Sequence, residues 1–376
     1  MGRPIQKPGK TRFLFKICPF YSLFFLPFMY NIETAMNTHL SPKQMETSAD
    51  LAVWIKLNEE SLIKQSRSFS IPILNLDDRF QIPVMVEYNL NKTLDTIEDS
   101  PALEADEKTR LIQDFCDHLK REEFSAGLKK RMLEVTPKDE AYVFKNYEAT
   151  INLYSALSNQ EKALGRKWTE EMATGMCAFL TRSIKTLKDL NDYCYYVAGT
   201  VGIYLTGILR IKGSNLTQTV FKKMEGHAVS FGLFLQKLNI IRDHMEDNTN
   251  KKRAFWPRSY FQQEKDPIKI LNKMCDETFS NDVPGAIEYY KNIPSGNDSY
   301  EVFIRFLLRS GLEYLKILKN NRSVFSDRKV KLPKKFIENL YGYVSSQPPE
   351  EFMDYCERFQ SEEMKLTGLT PPPHFF

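Results

Sequence analysis

The chain is poor in the residues that build nitrogen- and sulfur-ligated metal sites. Its five histidines are scattered, and its six cysteines, at 18, 116, 177, 194, 275 and 356, form no C-x-x-C pair. Zinc-finger and H-E-x-x-H spacings are therefore excluded, and the separated thiols, set mostly in helical or apolar stretches, read as free cysteines in a reducing compartment. Any metal has to be held by oxygen. Glycine is sparse too, 16 in 376 residues, and none of it forms a P-loop or a G-x-G-x-x-G turn, so the phosphate-cradling loops of nucleotide folds are missing. Nor does one sign of charge dominate. There are 52 basic against 48 acidic residues without a basic stripe, which excludes a nucleic-acid groove. The aromatic-rich apolar run from Phe13 to Tyr30 is broken by Lys16, Pro19 and Pro27, whereas a spanning helix needs roughly 18 or more unbroken apolar residues. Residues 1–45 stay open between a targeting segment or weak N-terminal anchor, a disordered tail, and a start placed upstream of Met36 or Met45. Residues 361–376, which include Pro371-Pro372-Pro373, read as a disordered tail without a membrane helix.

What is present points to a large core. Hydrophobic residues make up 42% of the chain, and from about Ser48 to Phe359 the apolar positions follow a 3.6-residue period. No series of short alternating strands and no repeat of fixed length interrupts it. The pattern predicts an all-α fold, with a single helical domain over residues 46–360.

Two helices stand out by their acidity. On a helix over Val84–Asp99, with Tyr88 at zero and about 100° per residue, Lys92, Asp95 and Asp99 fall within about 40° of Tyr88. Val86, Leu90, Leu94 and Ile97 form an apolar stripe on the other side. A helix over Gly232–Asp247 repeats the design: Gln236, Asn239, Asp243 and Asp247 share one face, and Phe234, Leu238, Ile241 and Met245 the other. A lone D-x-x-E-D is ordinarily a solvated helix end. Two copies ending the same kind of amphipathic helix would crowd six carboxylates together, and like charges one turn apart repel by roughly 0.2–0.5 kcal/mol per pair. Cations must compensate. Hard oxygen ligands suit Mg²⁺, which is commonly bound through one or two carboxylates plus substrate phosphates, so the paired pentads imply a diphosphate ligand, with Lys92 and Arg242 at hand to neutralise its remaining charge.

Five segments, Arg67-Ser68-Phe69-Ser70, Asp95-Thr-Ile-Glu-Asp99, Tyr193-Cys-Tyr-Tyr-Val-Ala-Gly-Thr-Val-Gly202, Gln236-Lys-Leu-Asn239-Ile-Ile-Arg242 with Asp243–Asp247, and Arg253-Ala-Phe-Trp-Pro257, resemble those of the squalene and phytoene synthases in order and approximate spacing. The similarity to this head-to-head prenyl-diphosphate condensing family covers most of positions 55–345. It implies a single isoprenoid synthase helical bundle with a central active-site cavity. It also implies that Asp95, Asp99, Asp243 and Asp247 hold Mg²⁺, for which Mn²⁺ can stand in, with Glu98 and Glu246 as further ligands or supports. Arg67, Ser68, Phe69, Tyr88, Lys92, Gln236, Asn239 and Arg242 would bind substrate, and Tyr193 would assist proton transfer beside the departing diphosphate. The implied reaction joins two farnesyl diphosphates through presqualene diphosphate and reduces the product to squalene with NADPH. The implied protein is a monomer, cytoplasmic or peripherally attached to the cytosolic face of a membrane.

The fate of the final cation is less sharply marked. Phe255-Trp256-Pro257 resembles squalene synthases, and Arg253, Lys331 and Lys334 are the residues the resemblance offers to NADPH. Lys329-Val-Lys-Leu-Pro-Lys-Lys335, however, lacks the glycine of the corresponding basic loop in eukaryotic squalene synthases. This stretch and Val-Ala-Gly-Thr-Val-Gly look more like bacterial dehydrosqualene synthases. Ser100 stands where many squalene synthases continue with aspartate, and one extra residue separates Asp247 from Arg253. A dehydrosqualene or phytoene-type synthase working without reductant therefore stays open. So does a non-catalytic assembly factor of the same fold, against which the retention of both pentads and Tyr193 counts.

Overall fold

The apolar stripe of the first acidic helix lies where its period puts it. In the helix Gln81–Asp99, Val86, Leu90, Leu94 and Ile97 are buried, while Tyr88, Lys92, Asp95 and Asp99 remain partly open. The computed structural model describes residues 42–249 and 253–367. The readings of residues 1–41 and 368–376 lie outside the described residues. Two units are present, residues 1–52 and 53–376, and the residues of the site described below belong to the second.

In chain order the helices are α1 (Pro42–Gln65), α2 (Arg67–Leu74), α3 (Gln81–Asp99), α4 (Ala105–Arg121), α5 (Ala126–Val135), α6 (Tyr142–Lys145), α7 (Tyr147–Ser155), α8 (Asn159–Phe179) and α9 (Leu187–Cys194). A π-helical turn, Tyr195–Gly199, joins α9 to α10 (Thr200–Lys212). There follow α11 (Gln218–Arg242), α12 (His244–Thr249), α13 (Arg258–Gln263), α14 (Pro267–Lys291), α15 (Asp298–Leu318), α16 (Lys334–Ser346) and α17 (Pro349–Thr367). No strand occurs among the described residues, as the all-α expectation required. Helix α17 continues through residues 361–367, which the sequence assigned to a tail, because Phe352, Cys356 and Phe359 bury one of its faces in the core.

Local signals start the helices that carry the site. Ser158 and Glu161 form a reciprocal capping box at α8, and Thr186 and Asp189 form another at α9, each satisfying backbone N–H groups that a helix start leaves without partners. Helix α11, about 37 Å long by its 25 residues, is the central strut. Small residues let its neighbours reach it: a Cβ at Gly202 would stand 2.2 Å from Ala228 O, and one at Gly232 2.3 Å from Ala198 O. The glycines of Ala198-Gly199-x-x-Gly202 and Gly232 thus bring α10 and α11 together backbone to backbone.

Between α3 and α8 lies a buried carboxyl that periodicity alone does not reveal. Glu87 Oε1 accepts hydrogen bonds from Thr169 Oγ1 at 3.2 Å and Asn91 Nδ2 at 3.3 Å, and a Cβ at Gly165 would stand 3.0 Å from Oε2. Burial pushes its pKa up from 4.5 to about 8, the two hydrogen bonds opposing. An acid whose folded pKa is raised binds its proton more tightly in the folded chain, so stability falls as pH rises between about 4.5 and 8, by roughly 1.4 kcal/mol per unit at most. Glu87→Gln mimics the protonated acid. Its unfolding midpoint is expected to exceed the parent's at pH 8 and to converge on it below about pH 5, as thermal denaturation across that range will show.

Candidate active site

Helices α3 and α11 each deliver an acidic segment, and each segment carries its own cation. Lys92 pairs with Asp95 one turn on along α3. Burial works against the Lys92 charge, but Asp95, and then Tyr88 and Asp99, outweigh it and raise its pKa. Arg242 clasps Asp243 through two contacts, Nε at 2.9 Å and Nη2 at 2.5 Å. Around the first pair stand the capped start of α2, where Ser66 Oγ accepts from Phe69 N at 3.0 Å, and the Phe69 ring 6.0 Å from that of Tyr88. Burial raises the Tyr88 phenol above its ordinary pKa. Ser68 is exposed at the start of α2, and Gln236 and Asn239 are partly exposed on α11. The Arg67 side chain lies outside the described ones.

The second pentad departs from one continuous helix. Helix α11 ends at Arg242, Asp243 sits at the junction with φ −95° and ψ 12°, and α12 begins at His244. Trp256 Nε1 donates to Ile240 O at 3.2 Å, taking a carbonyl that the next turn would otherwise use, and the His244 ring lies 4.1 Å from the indole. Asp247 N still donates to Asp243 O at 2.9 Å, so the two aspartates remain one turn apart. The break rotates the outer residues: Met245, expected on the buried stripe, is half-buried, while Asp247 is buried.

Arg253 brings the two segments together. Its backbone N–H donates to Asp247 O at 2.8 Å, and its guanidinium reaches Glu98 Oε1 at 2.7 Å and Asp99 Oδ1 at 4.0 Å. The Glu98 contact is an ion pair across 155 positions (253 minus 98). Burial raises the Glu98 carboxyl to about 7, with Arg253 pulling the other way. The guanidinium also lies 4.8 Å from the Phe255 ring centre and 5.6 Å from that of Tyr193. Tyr193 is buried between Phe255 at 4.8 Å and Phe179 at 5.3 Å. Its pKa is raised by burial first and then by Glu98, so the phenol stays protonated at neutral pH. The loop before α9 is fastened by Ser259 N donating to Lys185 O at 3.0 Å, which ties the tyrosine's helix to the strand of chain that follows Arg253.

The other residues offered to a nucleotide are exposed. Lys334 pairs with Glu338 on the exposed side of α16, and Lys331 is exposed. It is Lys329, the one residue of that basic stretch's outward pair not offered to NADPH, that reaches Glu246 of the second pentad, while Val330 and Leu332 are buried. Alternation along 329–332 was the available signal. Of the three residues offered to NADPH, Arg253 is thus engaged by Glu98 and Lys334 by Glu338, and Lys331 is exposed. A divalent cation fits better. The donors are carboxylate oxygens only, and among the described residues no three acidic, histidine or cysteine side chains converge on one point. Carboxylate oxygens are the donors that a hard ion such as Mg²⁺ takes.

A family model described as squalene/phytoene synthase matches residues 62–280, a span holding both acidic segments, Tyr193 and Arg253 and ending before Lys329. The chain belongs to the squalene/phytoene synthase family. Squalene synthase of Dictyostelium discoideum is 35% identical over 202 residues, 53% of this chain and 46% of that protein. The chain spans about half the length of the curated relatives it matches. Among solved structures, TcSQS in complex with a ligand superposes with a TM-score of 0.72 at 28% identity, covering 84% of this chain and 92% of that one. A dehydrosqualene synthase complex superposes with a TM-score of 0.56 at 19% identity, over 80% of this chain and 97% of that one, a likeness of fold. Among the described residues one stretch, Leu187–Lys212, is long and apolar enough to cross a membrane. In this family member that stretch runs through α9, the π turn and α10, with Tyr193 and Tyr204 buried along it.

Proposed function

We propose that the protein condenses two molecules of farnesyl diphosphate head to head through presqualene diphosphate, and that its final product is squalene. The observation that carries this reading is Arg253, bound at once to the Asp247 carbonyl and the Glu98 carboxylate, which sets both acidic segments beside one protonated, ring-enclosed tyrosine. Asp95, Asp99, Asp243 and Asp247 would hold Mg²⁺, or Mn²⁺ in its place, with Glu246 in support. Bound there, the ions supply charge neutralisation for a leaving diphosphate. Lys92 and Arg242, now paired to Asp95 and Asp243, carry charge that a diphosphate can share. Arg67, Ser68, Gln236 and Asn239 complete the polar face, and Phe69 and Tyr88 its apolar border. Tyr193 holds a proton at its hydroxyl and, with Phe179 and Phe255, presents ring faces that exclude water and favour a passing cation.

Squalene requires a hydride, for which NADPH is the proposed donor. A monomer touching a membrane peripherally would release so insoluble a product. A second reading, dehydrosqualene without reduction, is favoured by the engagement of two of the three residues offered to NADPH in ion pairs, Arg253 with Glu98 and Lys334 with Glu338. Product analysis after incubation with farnesyl diphosphate and Mg²⁺ separates the two. Squalene is expected when NADPH is present and presqualene diphosphate should accumulate when it is not. Dehydrosqualene as sole product in both would overturn the squalene reading, and no diphosphate release at all would point to the non-catalytic one.

A further inference from the structure

The helix that carries Tyr193 does not run on as a plain α-helix. After Cys194 it widens into the π turn Tyr195–Gly199, in which Thr200 N donates to Tyr195 O, five residues back. Thr200 Oγ1 donates to Tyr196 O at 2.7 Å, so the carbonyl that the wider turn passes over still has a partner. A π turn holds one residue more than an α turn, which rotates the chain beyond it by about 100° relative to an unbroken helix. Tyr196, inside this turn, enters the surface of α8. A Cβ at Gly175 would stand 2.0 Å from Tyr196 Cγ, 2.2 Å from its Cβ and 2.4 Å from its Cδ1, so the root of the ring lies where any other residue would put its side chain. Phe179 follows Gly175 by one turn on the same face of α8. Its ring lies 5.3 Å from that of Tyr193 and 6.4 Å from that of Tyr196. Phe179 and Tyr193 are buried, and Tyr196 is half-buried.

We infer that Tyr196 is a positioning residue for Tyr193 and acts through Phe179. With its ring rooted in the notch at Gly175, Tyr196 backs the Phe179 ring and keeps it against Tyr193. Without that backing, Phe179 gains room to turn into the space the Tyr196 ring leaves, and Tyr193 loses one of the two rings that enclose it, the other being Phe255. The ring of Tyr196 plays this part, and its hydroxyl does not. The inference deepens the proposed function and rests on it only where the placement of Tyr193 is taken to govern turnover. The chain of contacts from Gly175 to Tyr193 stands without it.

The test compares Tyr196→Phe, Tyr196→Leu, Phe179→Leu and the Tyr196→Leu, Phe179→Leu double variant by two measurements. One is steady-state turnover of farnesyl diphosphate. The other needs no turnover: the fluorine NMR resonance of 3-fluorotyrosine introduced at position 193 of the full chain. Tyr196→Leu is expected to lower kcat about tenfold and to leave KM within about twofold, since a reacting group slightly out of place costs turnover more than binding. It should also shift or broaden the fluorine resonance. Tyr196→Phe keeps the ring and should keep both the rate and the resonance. Phe179→Leu should lower kcat by itself, and adding Tyr196→Leu to it should then move neither measurement much further, because the route from Tyr196 to Tyr193 is already cut. Effects of the two substitutions that add in full would overturn the inference, and so would a Tyr196→Leu variant whose resonance and kcat match the parent's. A loss in Tyr196→Phe as large as in Tyr196→Leu would place the hydroxyl in the chemistry and overturn it as well. Should Tyr196→Leu fail to fold, Tyr196→Met takes its place in the cycle. If the unaltered protein did not turn over farnesyl diphosphate, the proposed function would fall, and the fluorine cycle would still decide whether Tyr196 reaches Tyr193 through Phe179.

Discussion

Asp95→Asn and Asp243→Asn are each expected to cut turnover of farnesyl diphosphate at least about a thousandfold while helical content and unfolding midpoint barely move. Stability is insensitive because both carboxylates sit in partly exposed ion pairs with near neighbours, Lys92 and Arg242, and such pairs contribute about 1 kcal/mol or less. Turnover is sensitive because the same carboxylates would carry the metal. A thousandfold is about 4 kcal/mol, within the several kcal/mol that a metal supplies to a developing negative charge. The amides also leave Lys92 and Arg242 without a paired anion, so ground-state binding of diphosphate should fall less than turnover does. Steady-state kinetics with Mg²⁺ titration, beside circular dichroism, would check both halves. Turnover retained with an unchanged Mg²⁺ requirement would move the metal away from these aspartates.

The fold was readable where one residue type repeats at one period. Leu90, Leu94 and Ile97 declare a buried stripe, and the polar face opposite them follows without further information. The same method overran at Met245, because a helical wheel cannot see that Trp256 takes the Ile240 carbonyl and ends α11 at Arg242. Tyr193 was legible only through the resemblance of its surrounding motif. As a residue it is one more tyrosine in an apolar stretch, and its meaning comes from Phe179, Phe255 and Arg253, which fold onto it from two other parts of the chain.

Long-range charge pairing was the least legible layer. Nothing local marks Glu98 as the partner of Arg253, and although burial of Val330 and Leu332 turns both Lys329 and Lys331 outward, nothing local tells which of them meets the second pentad; it is Lys329. Lys237 did leave a signal. It lies on α11 between the apolar positions Phe234, Leu238 and Ile241, and an ammonium in such a place needs a buried anion. The partner, Asp282 on α14, is 45 positions away and could not be named from the sequence.

That pair supports the second large effect. Lys237 Nζ meets Asp282 Oδ2 at 2.6 Å, with side-chain exposures of 1% and 5%, so neither charge has water to fall back on. Lys237→Met keeps the length of the side chain and removes the charge, leaving Asp282 buried without its cation, for which a loss of about 3–5 kcal/mol is expected. Burial already raises the Asp282 carboxyl, with Lys237 opposing, and deleting the lysine raises it further. The sign follows: the folded variant binds a proton that the unfolded chain releases near pH 4, so the loss is smallest in acid and grows as pH rises through the unfolded value. Lys237→Met with Asp282→Leu replaces both charges by apolar groups and should recover most of the stability, since a buried pair is often no better than a well-packed hydrophobic one. Denaturant unfolding of the two variants at pH 5 and pH 8 tests this. A neutral single variant at pH 8 would show that water reaches Asp282. Recovery in the double variant would show that the pair fixes α11 against α14 through charge matching.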